Sequence, residues 1–495
     1  MELKVKLLKW SAGFPVAMLH EHTANIIGVK TKGRVFIKTI SKNPKGVYTI
    51  IDTTTSLVKK NEIAISSELK ERLNLSLGQK VDVGLAPLSE SLLFIKKKVN
   101  NEELSEKEID SIIRDVIDNS LSEAEIALFI SAMYERGMNM KETVFLIKAI
   151  LGSGQQLKFD NKFVVDKHSI GGIPGNRTTP IVVSVCAAGG LIFPKSSSRA
   201  ITTAAGTADV VETIAKVEFS IPELKKIVKK VGACLIWGGS LEIVPADEKI
   251  ITIEKMLNID PESQLLASIM SKKLALGAKY ILIDIPYGKT AKVSYNEGMK
   301  LKNKFEYLGK HFNKKLKVVL THGDEPIGNG VGPALEIMDI LKILKNSDDR
   351  PMDLEKKSLF LAGEIFEMTG KAGKGKGIER AREILYSGKA FEKFRQIIKA
   401  QDGNIDGICL GSFRKDIIMK KNGTISEIDN KKINSLARMA GCPMDKYAGL
   451  YLYHHVGDKL KSGDKLMTVY AESRARLNEA VNFFEEQKPI TFKNN

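Results

Sequence analysis

The chain has 495 residues and a formal net charge of +17, with 76 Lys and Arg against 59 Asp and Glu. That length accommodates about two to four domains with sizeable cores. No apolar run approaches the roughly 20 residues needed to span a bilayer, so a membrane is not an expected partner. The lysines are spread along the chain without a basic arm or an aromatic-interleaved patch, so neither is a nucleic acid. Cys186, Cys234, Cys409 and Cys442 show no paired spacing. This argues against a zinc site or a disulfide framework and suits a reducing cytosol. The opening MELKVKLLKW has no hydrophobic signal region, so a cytoplasmic protein is expected. No metal cluster is seen in the sequence, and neither a metal nor a cofactor is expected.

In chain order, residues 1–86 read as a small β-rich, barrel-like domain. KVKLLKW, NIIGVK, RVFIKTI and VYTIID are strand-like runs with polar breaks, and EIAISSELKERLNLSLGQKVDVGLA reads strand, short helix, turn, strand. The pattern is similar to small swapped-strand or double-psi barrels, an analogy of fold alone. His20 and His22 have no acidic or Cys companion and are read as surface or core residues, not ligands. From about 100 the periodicity becomes helical. Ser105 with Glu108 and Ser122 with Glu125 form capping-box patterns, each followed by an apolar stripe that signals packing, and 141–151 gives a third helix.

Residues 163–215 change character. Phe163–Val165 reads as a strand, and the loop behind it carries Lys167, Ser169, Gly171, Gly172, Gly175 and Asn176. Thr178 or Thr179 is expected to cap a helix whose first turn accepts Pro180 and which Gly189-Gly190 ends. A second strand, Leu191–Phe193, runs into Ser196, Ser197, Ser198, Arg199, Thr202, Thr203, Gly206 and Thr207. Loops of this kind expose backbone N–H groups beside the positive end of a helix, which is the chemistry of an anion site. Two in tandem suggest more than one phosphate. Glycine also serves merely to bend a backbone, but here one loop adds a lysine and the other an arginine among hydroxyls. Neither loop has P-loop or GxGxxG spacing.

Strands near 233, at 279–285 and at 317–323 follow, with helix 262–276 among them and a third glycine loop at Tyr287–Lys292. Strands alternating with helices indicate a mostly parallel sheet covered on both faces. Residues 345–404 read as helical, with the Gly/Lys run 370–377 as a solvated loop. From 408 the chain is β-rich. There GLYLYHHVGDKLKSGDKLMTVYA has the form of a lipoyl-like hairpin, with His454 and His455 on its strand as structural residues.

DKHSIGG followed by SSSRAITTAAGTADVVE resembles the signature region of the thymidine and pyrimidine nucleoside phosphorylases. The resemblance continues through LLASIMSKKLALGA (265–278), GDEPIGNGVGPALEI (323–337) and the helical stretch 359–403, covering roughly residues 90–480. Length, the N-terminal extension and the departures below are most similar to the archaeal branch that acts on AMP. The resemblance implies a multidomain α/β protein. Its expected parts are the β-rich domain (1–86), an all-α domain (87–160, completed by about 255–276), a central α/β phosphate-binding domain (161–345), a helical connection (346–407) and a C-terminal α+β domain (408–495).

The activity implied is phosphorolysis, in which inorganic phosphate attacks the anomeric carbon and the base leaves. Lys167 and Ser169 match the family's KHS motif and are assigned to inorganic phosphate. Pyrimidine-specific members hold the base with an Arg in a YALRD-like segment and with Ser and Lys of an ASIxxKK helix. Ser268, Lys272 and Lys273 keep the helix pattern, but the Arg segment reads Pro245-Ala246-Asp247-Glu248-Lys249. A carboxylic acid suits a purine N7, which needs a proton to leave. Asp260 is the candidate proton donor, with Asp247 and Glu248 as alternatives. A 5′-phosphate would meet Ser198, Arg199, Ala200, Ile201, Thr202 and Thr203, with Lys292 from the neighbouring loop. Gly172, Thr207 and Ser268 complete the expected AMP contacts. The products would be adenine and ribose 1,5-bisphosphate, with CMP and UMP as open substrates and a homodimer or larger homo-oligomer as the assembly. Three alternatives stand beside this reading: a thymidine or pyrimidine nucleoside phosphorylase, an anthranilate phosphoribosyltransferase-like enzyme, and a nucleotide-binding protein without turnover.

Overall fold

In the computed structural model, which describes every residue except 9, 13, 14, 88, 201, 202, 242, 494 and 495, six strands close an N-terminal barrel. They are β1 (Glu2–Leu7), β2 (Val16–His20), β3 (Arg34–Thr39), β4 (Gly46–Thr54), β5 (Glu62–Ile65) and β6 (Lys80–Leu85), in the order β1-β5-β2-β4-β3-β6. β1 with β5 and β2 with β4 pair in parallel and the remaining neighbours antiparallel. Alternate residues such as Leu3, Val5, Val35, Ile37, Val81 and Val83 fill the interior, as the two-residue period of a strand requires. The run NIIGVK is not a strand. Its first residues end a helix, Glu21–Ile27, which starts where His20 Nδ1 accepts a hydrogen bond from His22 N (3.1 Å) and stops at Gly28 with φ 81°. His20 is therefore a helix cap. β2, a run without polar alternation, was not expected.

The barrel belongs to one of two units, made of residues 1–153 and 245–268; the other comprises 154–244 and 269–495. Within the first unit, helices Glu106–Asp118, Glu123–Arg136 and Met140–Gly152 each open on a complete capping box: Ser105/Glu108, Ser122/Glu125 and Asn139/Glu142. Helix Pro245–Leu257 packs against all three. Arg34 of β3 reaches Glu125 at 2.9 Å and the carbonyl of Ser120, tying the barrel to the helices. Glu142 has a second task. Its buried carboxylate holds the ammonium of Lys98 at 2.9 Å, with side-chain exposures of 3% and 4%, and accepts from Leu104 N.

In the second unit the strands are β7 (Val165–Ser169), β8 (Phe193–Ser197), β9 (Ala233–Trp237), β10 (Tyr280–Tyr287) and β11 (Lys315–His322). β7, β10 and β11 pair in parallel in the order β11-β10-β7. β8 pairs in parallel with β9, and a parallel bridge from Val164 to Ile192 links the two groups. β7 and β8 lie further along the chain than their apolar runs suggest, because polar Asp166, Lys167, Lys195 and Ser196 sit buried within the strands themselves. Helix Thr178–Ala188 is apolar on every side and almost wholly buried, as expected for a core helix. Helices Met352–Thr369 and Lys389–Ala400 pack on it, so much of the stretch 346–407 forms part of this core.

The C-terminal strands are β12 (Gly330–Val331), β13 (Phe413–Ile418), β14 (Gly423–Ile428), β15 (Gly449–Leu452), β16 (Lys459–Leu460), β17 (Lys465–Ala471) and β18 (Ile490–Lys493). They form two antiparallel sheets, β12-β15-β17-β13 and β16-β14-β18. The hairpin form noted for this segment holds only in part. β15 and β17 are partners, but β16 between them leaves for the other sheet. His454 and His455 follow β15 rather than lie on it, with His455 Nδ1 3.2 Å from Glu325 and His454 Nδ1 3.4 Å from Asp458.

Replacing Glu142 by Ala strands a buried ammonium and opens a capping box. Denaturant unfolding of Glu142→Ala should show a loss of about 3–5 kcal/mol, much of it recovered in the double variant Lys98→Met/Glu142→Leu.

Candidate active site: two glycine- and hydroxyl-rich loops above buried lysines

The loop after β7 turns through Gly171, Gly172 and Gly175 at φ 86°, 93° and 67°, a backbone region that favours glycine. A Cβ on Gly172 would lie 3.0 Å from the Cβ of Lys292, so two residues expected to share a ligand do stand side by side. The helix that follows begins at Thr178 after Arg177, and no threonine caps it. Instead the Thr178 and Thr179 hydroxyls face Lys167 Nζ at 2.6 and 3.5 Å. Ser169, at the end of β7, lies in register with Asp284 of β10.

The loop after β8 is pinned by one carboxylate. Asp209 Oδ2 accepts from Ala200 N (2.7 Å) and from Gly206 N (2.8 Å), joining the two ends of the loop. The helix behind it runs only from Thr207 to Val211, so its dipole contributes little. Ser198 is exposed, Thr203 Oγ1 donates to Ala205 O (3.0 Å), and Ile201 and Thr202 lie outside the described residues. Arg199 faces carboxylates: it meets Glu212 at 2.7 and 2.8 Å, Glu218 at 3.1 Å and Asp209 at 3.3 Å, and lies over the Trp237 ring at 4.7 Å. The hydrogen bond from Arg199 holds the Glu212 carboxyl down at about 2, and the same bond raises the guanidinium pKa.

Arg177 joins the loops, and the sequence reading did not assign it. Its Nη1 donates to Thr207 Oγ1 (2.8 Å), its Nη2 to Ala205 O (2.7 Å) and its Nε to the buried Glu336 (2.6 Å). Ser196 and Ser197 were seen only as part of a polar run. Their hydroxyl oxygens are buried and have no hydrogen-bond partner among the described residues, a state that asks for a ligand or water.

Beneath the loops lies an unbalanced set of buried charges. Asp166 faces Lys195 at 3.2 Å and Lys273 at 3.0 Å, and Asp284 faces Lys357 at 3.3 Å and accepts from Thr321 at 2.6 Å. Lys273, grouped with the base-holding helix on sequence grounds, thus turns into this cluster. With Lys167 there are four ammonium groups and two carboxylates, all buried or nearly so. Burial pushes the Lys167 pKa down to about 7 against the pull of Asp284, and burial lowers Lys273 and Lys357 as well. Burial alone would raise the Asp284 carboxyl, but Lys357 and Lys167 hold it below its ordinary value. Such a cluster is relieved either by loss of a proton from a lysine or by the arrival of an anion.

Asp260, Asp247, Glu248 and Ser268 belong to the first unit. Asp260 is exposed in the turn between two helices. Asp247 is wholly buried and accepts from Gln264 Nε2 and Ser268 Oγ, both at 2.9 Å. Among the described residues, no group of three or more His, Cys, Asp or Glu could hold a metal ion, and no helix is long and apolar enough to cross a membrane.

Three family descriptions match the chain in order: "Glycosyl transferase family, helical bundle domain" over 93–154, "Glycosyl transferase family, a/b domain" over 161–391, and "Pyrimidine nucleoside phosphorylase C-terminal domain" over 424–491. The chain is 43% identical to the AMP phosphorylase of Thermococcus kodakarensis and 46% to that of Pyrococcus abyssi. Each match covers 99% of this chain and 97% of the relative. The chain belongs to the AMP phosphorylase family. Among solved structures, the anthranilate phosphoribosyltransferase of Thermus thermophilus superposes with a TM-score of 0.53 at 19% identity, covering 62% of this chain and 99% of that one. That likeness is one of fold alone.

Arg177→Met would leave the Glu336 carboxylate buried without its cation. Burial already raises the Glu336 pKa. A carboxyl raised in the folded state binds its proton more tightly there than in the unfolded chain, so its stabilising contribution fades as pH rises through the folded pKa. The variant should therefore melt below the parent at every pH, with the deficit growing from pH 5 to pH 8 to about 3–5 kcal/mol. Calorimetry across that range measures it.

Proposed function

We propose that this chain catalyses the phosphorolysis of AMP, releasing adenine and ribose 1,5-bisphosphate. An oxygen of inorganic phosphate forms a bond to the ribose C1′ as the bond from C1′ to the adenine nitrogen breaks. The observation that carries the reading is the pair of loops, after β7 and β8, joined by Arg177 above a buried excess of lysine charge. It is the arrangement expected where two phosphoryl groups must be held near one sugar, in a chain similar along its length to AMP phosphorylases.

In this reading Lys167, Ser169 and Thr207 take the attacking phosphate, and the unpartnered hydroxyls of Ser196 and Ser197 are added to the candidates. Fixed N–H and ammonium groups orient the nucleophile before reaction, and the bound dianion stabilises positive charge developing on the sugar. The 5′-phosphate is assigned to Gly172, Lys292 and the backbone of residues 198–203. Arg199, engaged by three carboxylates, is reassigned from phosphate contact to bracing that loop. Asp260 remains the proposed proton donor to the leaving purine. Asp247, buried and bonded to Ser268 and Gln264, is better suited to orienting Ser268. CMP and UMP are proposed as further substrates, and the setting as a cytoplasmic homodimer or larger assembly.

Incubation with inorganic phosphate and a panel of nucleoside monophosphates and nucleosides should release adenine from AMP only when phosphate is present. Release from thymidine but not AMP would overturn the assignment. Asp260→Asn should lower kcat by about 10²–10⁴-fold while AMP still binds; near-normal turnover removes that residue from the mechanism. The lysine cluster predicts a linkage to protons. At pH 8 free Lys167 is largely neutral, and a bound dianion restores its charge. Phosphate binding should therefore take up protons, and affinity should fall by up to about tenfold per pH unit above 8. Calorimetric titration in buffers of different ionisation enthalpy reads the uptake, which Lys167→Met should diminish.

A further inference from the structure

The helix Asn430–Ala440 of the C-terminal domain carries two buried asparagines one turn apart. Asn434 Oδ1 accepts from the backbone N–H of Ala204 at 2.9 Å, and its Nδ2 donates to the carbonyl of Gly172 at 3.4 Å. One amide therefore spans both phosphate loops, on contacts separate from those of Arg177. Asn430 serves the other two loops: its Nδ2 donates to Thr290 Oγ1 at 3.0 Å and to Gly323 O at 2.9 Å. A single helix face thus touches the loops that follow β7, β8, β10 and β11. The orientation of the Asn434 amide is dictated by its partners, since a backbone N–H requires the oxygen and a carbonyl requires the nitrogen.

We propose that Asn434 is a positioning residue for the reaction, setting the separation of the loop that holds Gly172 from the loop that holds Ala204 and Thr207. No other uncharged side chain of this length both donates and accepts here. Asp keeps the acceptor but sets a negative charge beside anion-binding loops. Leu keeps the shape and removes both bonds. An amide that merely anchored the C-terminal domain would influence stability alone. One that spaces the loops also governs how well both phosphate-bearing ligands are held, because a displacement of about 1 Å between reacting groups costs on the order of 10²-fold in rate.

The inference rests on the AMP phosphorolysis reading, and the full-length parent is assayed first, so that a parent inactive on AMP sinks that reading by itself. Asn434→Leu and Asn434→Asp are then compared with the parent by melting temperature, by KM and kcat for AMP and for inorganic phosphate, and by calorimetric binding of inorganic phosphate. In at least one variant that melts within a few degrees of the parent, KM for both phosphate-bearing substrates should rise tenfold or more, and phosphate binding should weaken by a similar factor. Amide exchange should quicken around Gly172 and Ala204 while the helix Asn430–Ala440 keeps its protection. Parent-like KM values and phosphate affinity in every folded variant would overturn the proposal. If neither variant folds, the proposal is decided by amide exchange in the parent alone. Slower exchange around both Gly172 and Ala204 on adding inorganic phosphate supports it, and a response in only one loop overturns it.

Discussion

Buried ammonium groups without enough carboxylates are the constraint on which the site depends. Desolvating a lysine is costly, and a folded chain normally answers with one carboxylate for each. Here Asp166 is shared by Lys195 and Lys273, while Asp284 is shared by Lys357 and the nearby Lys167. Two of the lysines, Lys167 and Lys195, stand within the parallel strands β7 and β8, whose following loops present further N–H and O–H groups, and the other two come from helices. In the proposed reading, a dianion arriving there would relieve the protein as well as be held by it.

The charges above this floor are arranged oppositely. Arg199 and Arg177 are neutralised by Glu212, Glu218, Asp209 and Glu336, and those pairs hold the backbone in place. One layer of cations outnumbers its carboxylates, and another is matched by them. A residue type alone does not separate the two. The partners do, which is why an arginine in a hydroxyl-rich loop reads as a phosphate contact until its surroundings are known. The asparagines of the C-terminal helix extend the same logic with neutral groups, so the C-terminal domain reaches the loops after β7, β8, β10 and β11.

Much of the fold was legible because periodicity and capping are local. The boxes at Ser105/Glu108 and Ser122/Glu125 formed as read, and the barrel and parallel strands appeared near their expected places. Most of the errors trace to partners distant in sequence. β7 and β8 were located by their apolar residues, but they carry Asp166, Lys167, Lys195 and Ser196 inside the sheet, where charges are tolerated only through partners far along the chain. The glycines and Lys167 stood out by composition. Arg177 and Asn434 did not, since each acts through bonds to loops about 30 to 260 residues away. NIIGVK was misread because a histidine cap, a weak local signal, outweighed β propensity.

The first unit is discontinuous, with residues 245–268 returning to helices that end at 153. A ribosome making this chain must therefore deliver the strand–loop–helix segments of the second unit before the earlier bundle receives its last helix. In the interval, the apolar faces of Glu106–Asp118 and Glu123–Arg136 that helix Pro245–Leu257 later covers stand open to solvent and to other nascent chains. Such an architecture links the maturation of one half to synthesis of the other, and makes a fragment ending near residue 153 a poor substitute for an independently folding piece.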